Sequence, residues 1–398
     1  MRLMGWIMGT IIVVAIVLSY SRAGIISLAA VCTIFLYQKL LHRRILKFSL
    51  LAGLVALILG CYWIKKDSAD GRLLIWQSCI NMVKDSPWIG HGLGSFEAHY
   101  MDYQAEYFRI HGQQNRYAML ADNVKHPFNE YMEILLNFGI IGLVILFAFI
   151  FLLIYCYKLN TDIEKKIAVY VLISIGTFSL FSYPFTYPFT WIITLLSVLI
   201  IIKEPIKVFF AASWKKNVVC ALVIGCSMIG IYELVERIQA ELEWGRISKL
   251  TLSDSYDTVL PAYEKLEKAF ADNPYFLYNY AAVLLEKKQY DKSLEIALQC
   301  RKYWADYDLE LILGENYQQL NKPKLAEKYY NSASMMCPSR FLPLYKLFHL
   351  YKMNGEKERS LAMAEAVVDK PMKIETVAIK RMKREMEREI QKINIVTE

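Results

Sequence analysis

Charged residues are scarce in this chain: 21% of the 398 positions, against 56% apolar. A domain wetted on every side needs more polar surface, and a bundle of membrane spans alone carries less charge, so a membrane part joined to a water-facing part is expected. Pairing among cysteines is also missing. The eight cysteines stand singly with no Cys-x-x-Cys string, which leaves no disulfide framework and no zinc-ribbon spacing. Cys32, Cys61, Cys156, Cys220 and Cys226 lie in apolar stretches, where cysteine serves as a small hydrophobe, while Cys79, Cys300 and Cys337 fall in polar parts. There is no phosphate-binding P-loop string for a nucleoside triphosphate. No small-residue cleavage site follows the first apolar run, so a cleavable signal peptide is excluded. The net charge of +8 comes from short loops and the C-terminal end, and no nucleic-acid partner is expected from it.

What is present is a series of seven apolar runs: Met4–Tyr20, Ala23–Gln38, Leu46–Ile64, Ile134–Tyr157, Ile167–Ser182, Phe185–Ile202 and Val218–Tyr232. A spanning helix needs ~20 apolar residues, with ~17 as the lower limit, so the first two and the last are the shortest candidates. Three short loops are basic. They hold Lys39, His42, Arg43, Arg44 and Lys47; then Lys158, Lys165 and Lys166; then Lys203, Lys207, Lys215 and Lys216. If all seven runs span, these loops share one side, which the positive-inside rule makes cytoplasmic. The Ser21-Arg22 turn, the polar loop 65–133 and everything after Tyr232 then lie outside. The expected architecture is an all-α polytopic bundle of about seven spans in the inner membrane, over residues 1–235, followed by a linker helix at 236–254.

From about residue 255 the composition changes to alternating helical patterns. Ser293-Leu294, Ala326-Glu327 and Ser360-Leu361 recur at intervals of 33 and 34 residues, and Pro274, Asp306, Pro338 and Pro371 mark junctions 32 to 33 apart. A small residue at a fixed offset lets paired helices approach closely. A period near 34 resembles the tetratricopeptide repeat, with about three degenerate units over 255–371 and a basic/acidic capping helix or tail at 372–398. Such a solenoid suits a protein partner.

The loop 65–133 carries the candidate chemistry. Gly71-Arg72-x-x-x-Trp76 precedes Pro87-x-x-Gly90-x-Gly92-x-Gly94-Ser95-Phe96, and Leu73, Ile75, Trp76, Cys79, Ile80 and Val83 approximate one helical face. Gly90, Gly92 and Gly94 lack the strand–turn–helix context of a dinucleotide fold, and the expectation is that they let backbone approach a ligand or helix. Arg22, between two apolar runs, either snorkels to headgroups or holds an anion, because its planar fork of donors suits phosphate oxygens. His126, in Lys125-His126-Pro127-Phe128-Asn129-Glu130, is a candidate proton acceptor, since an unperturbed imidazole is a usable base near neutrality. His91, His99 and His111 are spaced 8 and 12 apart and match no metal-ligand signature. The Asp306-Tyr307-Asp308 string lies in the repeats, and no metal is expected. Arg109 and Arg116 add positive charge to the loop. Tyr-Pro-Phe-Thr occurs twice in Tyr183–Thr190, either as an aromatic belt or as a surface touching a lipid-linked substrate.

The Arg72–Phe96 string, with Ser21-Arg22-Ala23-Gly24 and a His before a helix containing Gly139-x-x-Gly142, resembles the O-antigen ligase and polymerase superfamily. The resemblance covers about Gly5–Tyr157. It implies transfer of a glycan from a polyprenyl-diphosphate carrier to an acceptor hydroxyl on a glycan, lipid or protein. It also implies arginines, here Arg22 and Arg72, on the diphosphate, a histidine, here His126, assisting deprotonation, inversion at the sugar carbon, and no nucleotide or metal cofactor. Trp76, Gly90, Gly92 and Gly94 would shape the loop. The family pattern often places Asn directly after that His, whereas Pro127 and Phe128 intervene here. Family members usually have ten or more spans against about seven here, so either further spans precede Met1 or the chain is a shortened form. Ligation to lipid A core, polymerisation of repeat units and transfer to protein Ser or Thr all stay open, as does a membrane-anchored repeat scaffold without chemistry.

Overall fold

The computed structural model describes residues 2–40, 43–209, 213–251 and 256–397, and among these the chain forms helices and no strand. His42 of the first basic loop and residues 252–255 at the start of the repeats lie outside the described residues. In chain order the helices are α1 (Arg2–Leu18), α2 (Arg22–Lys39), α3 (Arg44–Ile64), α4 (Lys66–Asp85), α5 (Ser95–His111), α6 (Glu130–Leu159), α7 (Ile163–Ser179), α8 (Pro188–Phe209) and α9 (Ser213–Thr251). They continue as α10 (Tyr256–Leu266), α11 (Pro274–Glu286), α12 (Tyr290–Arg301), α13 (Tyr307–Gln319), α14 (Pro323–Met336), α15 (Leu342–Met353), α16 (Lys357–Asp369) and α17 (Val377–Thr397). The chain divides into two compact units. One holds Met1–Trp76, Val83–Leu93 and His126–Val218; the other holds Gln77–Met82, Gly94–Lys125 and Val219–Glu398.

Each of the seven apolar runs is largely helical, but residues 19–20, 180–182 and 185–187 lie outside α1, α7 and α8. Three helices among the described residues are long and apolar enough to cross a membrane: Arg44–Ile64, Glu130–Leu159 and Asn217–Thr251, with Ile7–Leu18 a shorter apolar helix. Their outward side chains, such as Val55, Ile145, Phe151 and Leu222, stay exposed, as expected of helices whose missing partner is lipid. In the first unit α2 packs on α3 and α7, and α8 packs on α6 and α7. Small residues allow this: Ser27 Oγ donates to the Ser174 carbonyl (2.8 Å) and lies 2.8 Å from Ser174 Oγ. Helix starts follow capping chemistry. Ser21 Oγ accepts the Gly24 N–H (3.2 Å), and the Asp162 carboxylate accepts the Lys165 N–H (2.8 Å).

In the second unit, α11 pairs with α12, α13 with α14 and α15 with α16, each pair stacks on the next, and α17 closes on α16. First helices start at Pro274, Tyr307 and Leu342, intervals of 33 and 35 residues. Ser293, Ala326 and Ser360 each stand in a second helix and are buried. Ser293 Oγ donates to the Ala281 carbonyl of the paired helix (2.8 Å). At Gly314 a Cβ would come within 2.4 Å of the Tyr330 ring, so this α13–α14 contact requires glycine. The Asp306 junction is an N-cap: its carboxylate accepts the Asp308 and Leu309 N–H groups at 2.8 and 3.1 Å.

The same unit contains the middle of the polar loop. Helix α5 packs on α14 and buries Phe96, Tyr100, Met101, Ala105 and Phe108 to 0–3% exposure. Each such large apolar side chain contributes about 1.5–3 kcal/mol. Polar ties accompany this core. Tyr275 Oη donates to Glu97 (2.9 Å), Gln104 Nε2 to the Met336 carbonyl (2.6 Å), and Arg340 to Asp122 (2.8 Å). Arg301 donates to both Asp102 (2.5 Å) and Glu310 (2.6 Å). Burial pushes the Glu310 carboxyl up against the pull of Arg301, so this carboxylate depends on its partner. Arg301→Ala is therefore expected to lower the unfolding free energy of this unit by about 3–5 kcal/mol. Arg109→Ala, which removes an exposed pair with Glu106, should cost under ~1 kcal/mol. Denaturant unfolding of the detergent-solubilised chain compares the two.

Candidate functional site

Helical spacing puts Arg72 and Trp76 one turn apart on α4. The Arg72 guanidinium donates to the Phe181 carbonyl (2.8 Å) and lies 5.0 Å from the Phe128 ring centre. Arg22, the first residue of α2, donates from Nη1 to the carbonyls of Cys61 (3.3 Å) and Lys65 (3.2 Å), and from Nη2 to Ser68 Oγ (2.9 Å). The two carbonyls belong to the last turn of α3 and its cap, so Arg22 sits at the negative end of that helix. Neither arginine forms an ion pair with a carboxylate among the described residues. Burial, and then the positive charge of Arg22, lower the Arg72 pKa from its ordinary value. Two like charges thus share one neighbourhood without neutralisation. They line a cavity of about 140 Å³ with Trp76, Ile26, Leu73, Phe181 and Tyr62, whose hydroxyl donates to Asp70 (2.8 Å), so the chamber is largely apolar around its two guanidinium groups. Such a chamber suits an anion that carries an apolar chain.

His126 stands in a loop that is tied at several points. Trp76 Nε1 donates to the Pro127 carbonyl (2.9 Å), the Asn129 side chain caps α6 by accepting the Met132 N–H (3.0 Å), and Glu130 accepts the Phe185 N–H (2.8 Å). Phe128 has φ +55°, a left-handed conformation that costs a bulky side chain about 1–2 kcal/mol. Its ring meets Tyr183 edge-on at 5.3 Å, and the His126 imidazole stacks on Tyr183 at 4.4 Å and 23°. A continuous series of contacts therefore runs from Arg72 through Phe128 and Tyr183 to His126.

Arg22, Arg72 and Trp76 are thus brought to one cavity, and His126 is joined to them through aromatic rings. Tyr183, Phe128 and Glu130 were not singled out from the sequence as site residues. The available signal was the doubled Tyr-Pro-Phe-Thr unit, and its two copies differ. In the first, Tyr183 and the Phe185 N–H face the His126 loop; in the second, Tyr187 and Phe189 are exposed, as in an aromatic belt. The remaining candidates lie elsewhere. His91 belongs to the first unit, while His99 and His111 belong to the second. Among the described residues no group of three His, Cys, Asp or Glu side chains is placed to hold a metal ion. Arg109 pairs with Glu106, and Arg116 lies over the Tyr117 ring at 4.7 Å.

The loop glycines have distinct tasks. Helix α6 breaks at Gly139 (φ 62°, ψ −159°), and the freed backbone is satisfied by the segment before α5. The N–H groups of His91 and Gly92 donate to the Leu136 and Asn137 carbonyls (2.8 and 3.0 Å), while those of Ile140 and Ile141 donate to Pro87 and Trp88 (2.8 and 3.1 Å). The two backbones touch so closely that a Cβ at Gly90 would come within 2.5 Å of the Leu136–Asn137 backbone, and one at Gly139 within 2.3 Å of Trp88. Gly92 and Gly94 also have positive φ but open space around them, and Gly94 is the N-cap position of α5.

The first unit thus combines membrane-length helices with two arginines that pair with no carboxylate among the described residues. In comparison with known families, residues 7–147 match the family described as O-antigen ligase. The matched stretch contains Arg22, Arg72, Trp76, the glycine segment and His126, and is to that extent similar to membrane enzymes of glycosyl transfer. No curated protein matches the chain. Gly90→Ala and Gly139→Ala are expected to prevent folding of the α6 break, seen as loss of monodisperse protein on size exclusion. Gly92→Ala should cost only the ~1–2 kcal/mol of left-handed strain and leave folded protein.

Proposed function

We propose that the first unit is a glycosyltransferase site that moves a glycan from a polyprenyl-diphosphate carrier to an acceptor hydroxyl at the outer face of the inner membrane. The observation that carries this reading is the Arg22–Arg72 pair without a carboxylate in an apolar chamber. The chain of the carrier lies along apolar walls, and the diphosphate supplies the negative charge the two guanidinium groups lack. His126 takes the proton from the acceptor hydroxyl, the oxygen attacks the anomeric carbon, and the bond from that carbon to the diphosphate oxygen breaks. The electron pair leaves on the diphosphate, where Arg22 and Arg72 stabilise the growing charge. One such displacement inverts the sugar carbon. Tyr183, stacked on the imidazole, sets its plane.

On this reading all seven apolar helices span. The basic loops face the cytoplasm, and the loop 65–133 and the repeats lie outside, where lipid-linked glycans are presented. The tetratricopeptide-like pairs add a surface for an acceptor or protein partner. Arg72 is the cleaner test, because Arg22 also caps α3.

In a transfer assay with equal amounts of folded protein, Arg72→Ala is expected to lower the rate at least ~100-fold, as removal of one oxyanion-type donor does elsewhere. His126→Ala should cost about 10²–10⁴-fold. Tyr183→Phe should retain activity, since the ring makes the stack, while Tyr183→Ala should lose it. Full transfer by both Arg72→Ala and His126→Ala would favour a scaffold without chemistry.

A further inference from the structure

A second cavity, of about 360 Å³, lies wholly within the unit formed by the polar-loop segment and the helix pairs. That volume falls in the roughly 300–1,000 Å³ range of small-ligand sites. We propose that this cavity is a saccharide subsite, which holds a non-reacting sugar of the glycan the chain handles; the proposal rests on the glycosyl-transfer reading above.

Four separate parts of the chain supply the rim. Asp122 comes from the polar loop, Asp308 from the first turn of α13, Arg340 from the α14–α15 turn, and Lys373 from the segment between α16 and α17. Asp122 is held by Arg340 at 2.8 Å and by Lys373 at 3.7 Å. The Asp308 carboxylate makes no hydrogen bond or ion pair with another side chain among the described residues; only its backbone N–H is used, by the Asp306 cap. The rim therefore balances two acids against two bases. Such a balance gives no net attraction for a polyanion such as nucleic acid, nor for a lone cation. It presents acceptors and donors side by side, with the hydroxyls of Ser339 and Thr376 added to them.

Besides this polar rim the lining is largely apolar and aromatic, and includes the buried Tyr307 and Phe341. A pyranose ring has this same two-sided character: hydroxyls that both donate and accept at its edge, and an apolar C–H face. A neutral apolar molecule would leave the rim charges desolvated and unpaired, which is costly. The polar and apolar lining together therefore fit a hydroxylated ring better than a polyanion, a lone cation or a neutral apolar molecule. The subsite also accounts for the shared core of the polar-loop segment and the helix pairs: neither alone completes the rim.

The test uses the full-length chain purified in detergent, with chitotriose and maltotriose as probes, followed by saturation-transfer NMR and calorimetry. At least one trisaccharide is expected to bind, with ring protons receiving saturation. Asp308→Asn or Lys373→Met should each weaken it about tenfold or more, the cost of losing a charged hydrogen bond. Both residues are exposed enough for folding to survive, which circular dichroism checks. No saturation with either trisaccharide, or unchanged affinity in both variants, overturns the subsite. Arg72→Ala should leave trisaccharide binding intact. If transfer persists in Arg72→Ala and His126→Ala while Asp308→Asn still loses the sugar, the transfer reading fails and the subsite stands.

Discussion

The first unit depends on one backbone clamp. A helix broken in the middle exposes N–H and C=O groups that hydrocarbon cannot satisfy, and each unsatisfied group costs several kcal/mol. Here the break at Gly139 is closed by four hydrogen bonds to Pro87–Gly92, and two glycines, Gly90 and Gly139, allow the backbones to touch. The clamp holds the first part of α6 in place, and with it Asn129 and Glu130, which tether the His126 loop. Trp76 ties the same loop to the helix that carries Arg72. A motif of letters, Gly-x-Gly before Gly-x-x-Gly, is thereby a joint between a polar loop and a helix.

The electrostatics of the two units differ in a way that points to function. In the second unit, Arg301 meets Asp102 and Glu310, and Arg340 meets Asp122. In each of these pairings a partly buried charge is matched within the protein. In the first unit, among the described residues, Arg22 and Arg72 meet carbonyls, a hydroxyl and a ring face but no carboxylate. Part of the cost is offset by the negative end of α3, but the pair remains repulsive, and burial together with Arg22 depresses the Arg72 pKa. In the proposed function, the diphosphate of the carrier removes this repulsion.

Much of the helical plan was legible from residue pattern. The apolar runs fall in helices because a period of 3.6 with few charges has no other stable outcome in hydrocarbon. The helix-pair period was visible through Ser293, Ala326 and Ser360, and Asp306 marked a junction because Asp is a strong N-cap. Arg72 and His126 were singled out through the resemblance of their flanking motifs to the O-antigen ligase superfamily, although Pro127 and Phe128 depart from its pattern. Other features left no trace in the pattern. Asp102 and Arg301 lie 199 positions apart, so their pairing has no local periodicity, and the fusion of the polar loop with the repeats was invisible. Tyr183 was hidden for a different reason: aromatic residues beside helix-ending prolines are common at membrane interfaces, and only the three-dimensional stack on His126 separates it from its copy at Tyr187.

The central claim is that the Arg22–Arg72 chamber binds the diphosphate of a polyprenyl carrier by charge. Native mass spectrometry of the full chain in detergent, with a polyprenyl diphosphate bearing no sugar, tests it most directly. The wild-type chain should retain the lipid as a 1:1 adduct that the uncharged polyprenol displaces poorly. Arg72→Gln, which keeps a donor for the Phe181 carbonyl but removes the charge, should lose that preference. Equal retention of diphosphate and polyprenol by the wild-type chain, or an unchanged preference in Arg72→Gln, would contradict the account.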